Sequence, residues 1–107
     1  MGSEARRVAT VDNSGDIETF SKNDPVNAGD VVSLVFRADD DASPPFNIRI
    51  KSPTGSVILE RVLRELPTGK PQSAPPITFT ASAPGDYRIE IWQLYGKQRG
   101  EAVLHVQ

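Results

Sequence analysis

In residues 83–92, turn residues are followed directly by a strand pattern, and this combination limits the folds that the chain can adopt. Pro84 fixes its own φ angle and Gly85 accepts a positive φ, so a tight turn is expected at this point. The residues that follow alternate with a period of two, and one face collects Tyr87, Ile89 and Ile91. The stretch therefore predicts a β-strand at the centre of a sheet, buried on one face.

Similar alternation, separated by turn residues, recurs along the chain and predicts further strands. The clear segments are residues 30–38, with Val32, Leu34 and Phe36 on one face; residues 46–51, closed by a turn at 52–55; residues 77–80; and a last strand through Ala102, Leu104 and Val106. Loops are predicted at residues 39–45, 67–76 and 96–100 because Asp, Pro and Gly cluster there.

Two segments are less clear. Near the start, Val8 and Thr10, or Ala9 and Val11, would form a short strand before a turn at residues 13–16, and at most a short edge element lies between the turns at 23–25 and 27–30. Residues 56–61 are expected to form a strand. An amphipathic helix is the alternative, because apolar residues of the 56–66 segment also recur at helical spacing.

Seven or eight short strands without crossover helices predict an all-β protein. We expect an antiparallel β-sandwich, immunoglobulin-like or jelly-roll-like, in which residues 1–107 form a single domain. Residues 1–7 are expected to be disordered or tag-derived, since Met1-Gly2-Ser3 resembles the remnant of an expression tag.

The composition excludes several functional classes. The 12 Lys and Arg residues against 14 Asp and Glu give a formal net charge of -2, so no basic field is available to hold a nucleic acid. No apolar run approaches the roughly 20 residues of a membrane-spanning helix, so membrane insertion is not expected. With no Cys, disulfides and thiol chemistry are absent.

Several of these signals together resemble known non-catalytic modules. Gly85-x-Tyr87-x-Ile89 has the arrangement of a tyrosine corner. Over residues 15–106, the order of Ala28-Gly29-Asp30, Phe46 to Ile50, Ser52-Pro53-Thr54-Gly55, Phe79-Thr80-Ala81 and Pro84 to Tyr87 resembles bacterial pre-peptidase C-terminal domains and is similar to the GOLD domains of trafficking proteins. The resemblance implies an accessory or binding module. The chain departs from the pre-peptidase pattern in lacking an Asp-x-Asp at residues 46–50.

No catalytic constellation can be nominated from the sequence. His105 is the only histidine and falls on the outward face of the last strand, and no Gly-x-Ser-x-Gly elbow exists to present a serine to it. Phosphate-binding glycine loops and His-Glu-x-x-His zinc motifs are absent as well. We therefore expect a protein that is not an enzyme and has no cofactor, apart from the ion considered next.

The loop at Asp39, Asp40 and Asp41 is the candidate ion site. Calcium takes six to eight oxygen ligands, and adjacent carboxylates and carbonyls after a strand can supply several of them. Ligands at alternate positions usually converge on a cation, however, whereas these three are consecutive. The hypothesis is thus a weak calcium site at most, and the alternative is a solvated charged loop.

A candidate binding face is predicted opposite the buried face of residues 87–91. If the alternation continues, this outer face carries Arg88, Glu90, Trp92 and Leu94, with Tyr95 beyond them. An exposed Trp beside charged residues is typical of surfaces that bind sugars or partner proteins. A bulge would instead shift the phase, bury Trp92 and Leu94 and expose Tyr95.

The expected function is a non-catalytic accessory or binding module of a larger, exported or cell-surface bacterial protein, extracellular or periplasmic. The alternatives are a carbohydrate-binding module that uses Trp92 and Tyr95 and a GOLD-like protein-interaction domain. The isolated domain is expected to be a monomer with a protein or carbohydrate partner.

Overall fold

The computed structural model describes residues 11–23 and 25–107, and this part of the chain contains eight β-strands and no helix. The predictions for residues 1–7 and for a strand at Val8 to Thr10 lie outside the described residues. The strands are β1 (Val11–Gly15), β2 (Glu18–Ser21), β3 (Val31–Arg37), β4 (Phe46–Lys51), β5 (Val57–Leu63), β6 (Ile77–Thr80), β7 (Gly85–Gln93) and β8 (Arg99–Val106).

The strands form two packed sheets, which confirms the predicted antiparallel β-sandwich. One sheet has five strands in the order β1-β8-β7-β4-β5, and the other has three in the order β2-β3-β6. All strand pairs are antiparallel. Outside the strands, Val26 forms an isolated parallel bridge with Val106, which is the short edge element expected between the turns.

The core lies between the sheets and is built from the alternating apolar side chains of the facing strands. Tyr87, Ile89 and Ile91 of β7 are buried, as the alternation predicts, and the ring centroids of Tyr87 and Phe79 lie 5.7 Å apart across the core. The predicted inward residues of β3 and β8 are buried in the same cluster: Val32, Leu34, Phe36, Ala102, Leu104 and Val106.

The turn before β7 has the hydrogen bonds of a tyrosine corner. The Tyr87 hydroxyl donates to the carbonyl of Ala83 at 2.8 Å and accepts from the Ala83 amide at 3.1 Å. Gly85 has a φ of 128° and lies against Pro53 of the β4–β5 turn, where a Cβ would approach the proline ring to 2.8 Å. The corner thus fixes where β7 begins and packs it against the adjacent hairpin.

The predicted turn at residues 13–16 is wrong, because β1 continues to Gly15. The Asn13 side chain donates to the Thr19 carbonyl at 3.0 Å and accepts from the Thr19 amide at 2.7 Å. Gly15 has a φ of 94°, and a Cβ there would meet the Arg99 carbonyl oxygen at 2.6 Å. Asn13 and Gly15 therefore serve the passage of the chain from the five-stranded sheet to the three-stranded sheet, which takes place at residues 16–17.

Two other boundaries differ from the sequence predictions. The predicted strand at residues 56–61 is confirmed as β5, which begins at Val57 and continues to Leu63, so the helical alternative is wrong. Arg99 and Gly100 were assigned to a loop but begin β8, where Gly100 lies so close to the Ile17 carbonyl that a Cβ would approach its oxygen to 2.1 Å. Glycine is required there for close packing of two backbones and not for a turn.

We predict that Tyr87→Phe lowers the free energy of unfolding by about 1–3 kcal/mol, because the two hydrogen bonds between the hydroxyl and the Ala83 backbone are lost while the ring keeps its packing. Urea denaturation measures the loss. Tyr95→Phe is the matched control, since Tyr95 is 89% exposed and should leave the midpoint unchanged. Equal midpoints for Tyr87→Phe and wild type would contradict a stabilising role for the corner.

Candidate binding face

The outer face of the five-stranded sheet carries most of the predicted binding residues. Strand β7 pairs with β8 and with β4 without any shift in register, so the outward phase of Arg88 and Glu90 continues to Trp92. The bulge considered as an alternative lies elsewhere, between Ile50 and Lys51 in the β4–β5 pair. Trp92 therefore lies on the outer face, where it is half-buried.

Trp92 is half-buried because neighbouring strands supply side chains that lie around it. The guanidinium carbon of Arg49, on β4, lies 5.1 Å from the centroid of the indole, which is the geometry of a cation–π contact. Asn47 is directly opposite Trp92 on β4, and Arg99 is directly opposite on β8. One ring face is thus engaged by Arg49.

Ion pairs lie across the same face in two groups. Arg49 donates to Glu60 Oε2 at 3.2 Å and lies 3.8 Å from Glu90, while Arg88 lies 3.5 Å from Glu101. The hydrogen bond from Arg49, followed by one from Asn47, lowers the pKa of Glu60. The hydrogen bond to Glu60 in turn raises the pKa of Arg49 against the opposing effect of burial.

A groove of about 660 Å³ lies beside Trp92, between the sheet face and the loop that joins β7 to β8. Glu90, Glu101 and Gln98 contribute polar groups to its wall, and Trp92 contributes the aromatic surface. Lys97 and Arg99 are exposed and neither side chain has an ion-pair partner among residues 11–23 and 25–107. The groove therefore has polar groups in its wall and positive charges at its rim.

The β7–β8 loop presents the last two predicted binding residues. Leu94 is 39% exposed and Tyr95 is 89% exposed. The base of the loop is closed by Gln93, whose backbone amide donates to the Gln98 carbonyl at 2.9 Å and whose side chain accepts from the Gln98 amide at 3.1 Å. Tyr95 is consequently an exposed aromatic side chain on a loop with a hydrogen-bonded base.

The acidic loop lies next to this aromatic loop. The Gln98 side-chain amide donates to Asp41 Oδ1 at 3.1 Å and to Asp39 Oδ2 at 3.4 Å, while Asp40 is exposed. Among the described residues there is no group of three or more His, Cys, Asp or Glu side chains that could hold a metal ion. Asp39, Asp40 and Asp41 supply no assembled ligand set, and the weak calcium site stays a prediction.

His105 lies on the outer face near the opposite end of the sheet, between two carboxylates. Its Nδ1 is 2.8 Å from Asp86 Oδ1 on β7, and its Nε2 is 2.7 Å from Asp12 Oδ2 on β1. These hydrogen bonds, with Asp12 first and Asp86 second, raise the pKa of His105 against the opposing effect of burial. The imidazole therefore links β1, β8 and β7 when it is protonated.

Comparison of the chain with protein-family models, with curated proteins and with solved structures finds no match. The described part of the chain also contains no helix of the length and apolarity needed to span a membrane. The function must therefore be argued from the geometry of the surface itself.

Sequence reasoning placed Arg88, Glu90 and Trp92 on one face because they lie on one strand. It missed Arg49, although the outward position of Arg49 in the alternating 46–51 segment was a usable signal. It also missed the contacts of Gln98 with the acidic loop and of His105 with two aspartates. Those contacts join residues between 19 and 93 positions apart, and no local pattern reports them.

The His105 bridge predicts a pH-dependent contribution to stability. A pKa raised in the folded state means that the contribution is fully present below the unfolded pKa of about 6.5 and is lost as pH rises through the folded pKa. We expect the difference in unfolding free energy between wild type and His105→Gln to be larger at about pH 6 than at about pH 9. Urea midpoints at both values measure it. A difference that stays constant with pH would show that protonation of His105 does not stabilise the fold.

Proposed function

We propose that this chain is a non-catalytic binding module and that the groove beside Trp92 binds carbohydrate. The observation that carries the proposal is the position of Trp92 in the wall of the groove of about 660 Å³, with Tyr95 on the adjoining loop. A pocket of this size with aromatic and convergent polar groups is the usual form of a small-ligand site.

The chemistry of the groove supports a polyhydroxylated ligand. The Glu101 carboxylate accepts hydrogen bonds and the Lys97 and Arg99 side chains donate them, so sugar hydroxyls would find both kinds of partner. Aromatic side chains supply apolar surface for the C–H faces of a sugar ring and keep a polar edge for solvent. Because Lys97 and Arg99 add positive charge at the rim, sugars that carry carboxylates are the favoured subclass.

The environment of His105 supports a non-catalytic role. Both ring nitrogens are within hydrogen-bonding distance of carboxylates, so neither is directed at a nucleophilic side chain. A triad would need one nitrogen on a serine, threonine or cysteine and the other on a carboxylate. We accordingly propose a binding role for the module within a larger exported or cell-surface protein, as its likeness to pre-peptidase C-terminal domains implies.

Protein interaction is a second candidate, as the likeness to GOLD domains implies. Val57, Ile58 and Val62 support it, because these apolar side chains are between 44% and 50% exposed on the edge strand β5. Exposed apolar side chains grouped on one strand are typical of contact surfaces.

The carbohydrate proposal predicts that an oligosaccharide changes the fluorescence of the protein, because Trp92 is the only tryptophan. The probes are neutral and uronic-acid oligosaccharides, first screened on a glycan array and then titrated in solution. We expect Trp92→Ala and Tyr95→Ala each to weaken binding by at least about tenfold by calorimetry, since losing an anchoring aromatic side chain costs about 2 kcal/mol or more.

Val31→Ala is the control, since Val31 is an apolar residue that is 59% exposed but lies on the three-stranded sheet. It should bind the same oligosaccharide as tightly as wild type. Failure of every neutral and acidic oligosaccharide to bind, or unchanged affinity in both aromatic variants, would overturn the carbohydrate proposal.

A further inference from the structure

Strand β5 is an edge of the five-stranded sheet and pairs only with β4. An edge strand presents unpaired N–H and C=O groups that can accept a further strand. Over its seven residues only Leu63 is buried, and Val57, Ile58 and Val62 expose apolar side chains. The edge is therefore long, accessible and partly apolar.

A groove of about 500 Å³ lies beside the C-terminal part of this edge, where Arg61, Val62 and Leu63 of β5 line it together with residues 74–77. Arg61 is opposite the buried Ile48 in the β4–β5 ladder and therefore points to the same side of the sheet, but it is itself exposed. Leu63 and Ile77 form the apolar floor, and Pro75 and Pro76 form the far wall. An added strand would place alternate side chains in this groove.

The charge of the edge is positive. Glu60 is paired with Arg49, while neither Arg61 nor Arg64 has an ion-pair partner within the described ranges. Glu65 is the acidic residue that lines the groove with them, so the groove keeps a surplus of one positive charge. Opposite charges directly across a ladder stabilise pairing, and like charges destabilise it.

A second copy of the chain fits this edge poorly. In antiparallel pairing about a two-fold axis, the register that uses the whole strand places Val57 opposite Leu63 and therefore Glu60 opposite Glu60. Registers shifted to either side use only part of β5. An inward-pointing charge such as Arg61 is also a common means of preventing unspecific edge-to-edge association.

We propose that the β5 edge binds an extended acidic peptide segment of a partner protein as a sixth strand. Acidic side chains of the segment lie in the groove opposite Arg61 and near Arg64, and its apolar side chains lie beside Val62 on the outer face. Backbone hydrogen bonds supply the attachment, and the alternation of acidic and apolar side chains supplies the selectivity. The proposal is independent of the carbohydrate proposal, because it uses a different surface.

The test uses two synthetic peptides of about nine residues, long enough to pair along the whole strand. In one peptide Val alternates with Glu, and in the other Val alternates with Lys. We expect the Glu peptide to bind and to shift the backbone amide resonances of residues 57–63, while the Lys peptide does not bind. Arg61→Glu should weaken the Glu peptide by at least about tenfold and allow the Lys peptide to bind, since it reverses a directly opposed charge.

Lys22→Glu is the matched control. It makes the same change of charge at an exposed position directly after β2, which is an edge strand of the other, three-stranded sheet. It should leave both peptide affinities unchanged. Absence of binding by the Glu peptide, equal binding of the two peptides, or resonance shifts outside β5 and its groove would each overturn the proposal. The proposal would also be overturned if sedimentation showed a dimer and if dimer formation alone accounted for the resonance shifts along β5. Oligosaccharide binding in the Arg61→Glu variant reports separately on the Trp92 groove.

Discussion

Strand β7 is buried at the centre of the five-stranded sheet, and its register determines which side chains reach the core and which reach the outer face. β7 is paired on both edges, by β8 and by β4, and its inner side chains Tyr87, Ile89 and Ile91 form the centre of the core. Because the side-chain period of a strand is two, a slip of one residue would expose all three. The register that buries them therefore also fixes Arg88, Glu90 and Trp92 on the outer face.

The same pairing brings together a surface that no single strand contains. Trp92 comes from β7, Arg49 from β4 and Arg99 from β8, and their proximity follows from the ladders on either side of β7. Arg49 is oriented by Glu60 from a fourth element, the edge strand β5. The indole is thus held against a guanidinium whose own position depends on two further strands. A side chain restrained in this way loses less conformational freedom when a ligand binds.

The sequence was sufficient to predict the class of fold, the central strand and the direction of Trp92, because each depends on the period-two alternation of neighbouring residues. It failed where a residue serves a distant part of the chain. Asn13 and Gly15 are of residue types that are common in turns. In the structure, however, Asn13 binds the Thr19 backbone and Gly15 makes room for the Arg99 carbonyl. Gly100 was assigned to a loop for the same reason.

One side chain, Glu60, lies between the two proposed binding surfaces, the groove beside Trp92 and the β5 edge. By pairing with Arg49, it keeps that guanidinium over Trp92 and shapes the wall of the groove. The same pairing neutralises the carboxylate that β5 would otherwise present at its middle, which leaves Arg61 and Arg64 as the uncompensated charges of the edge.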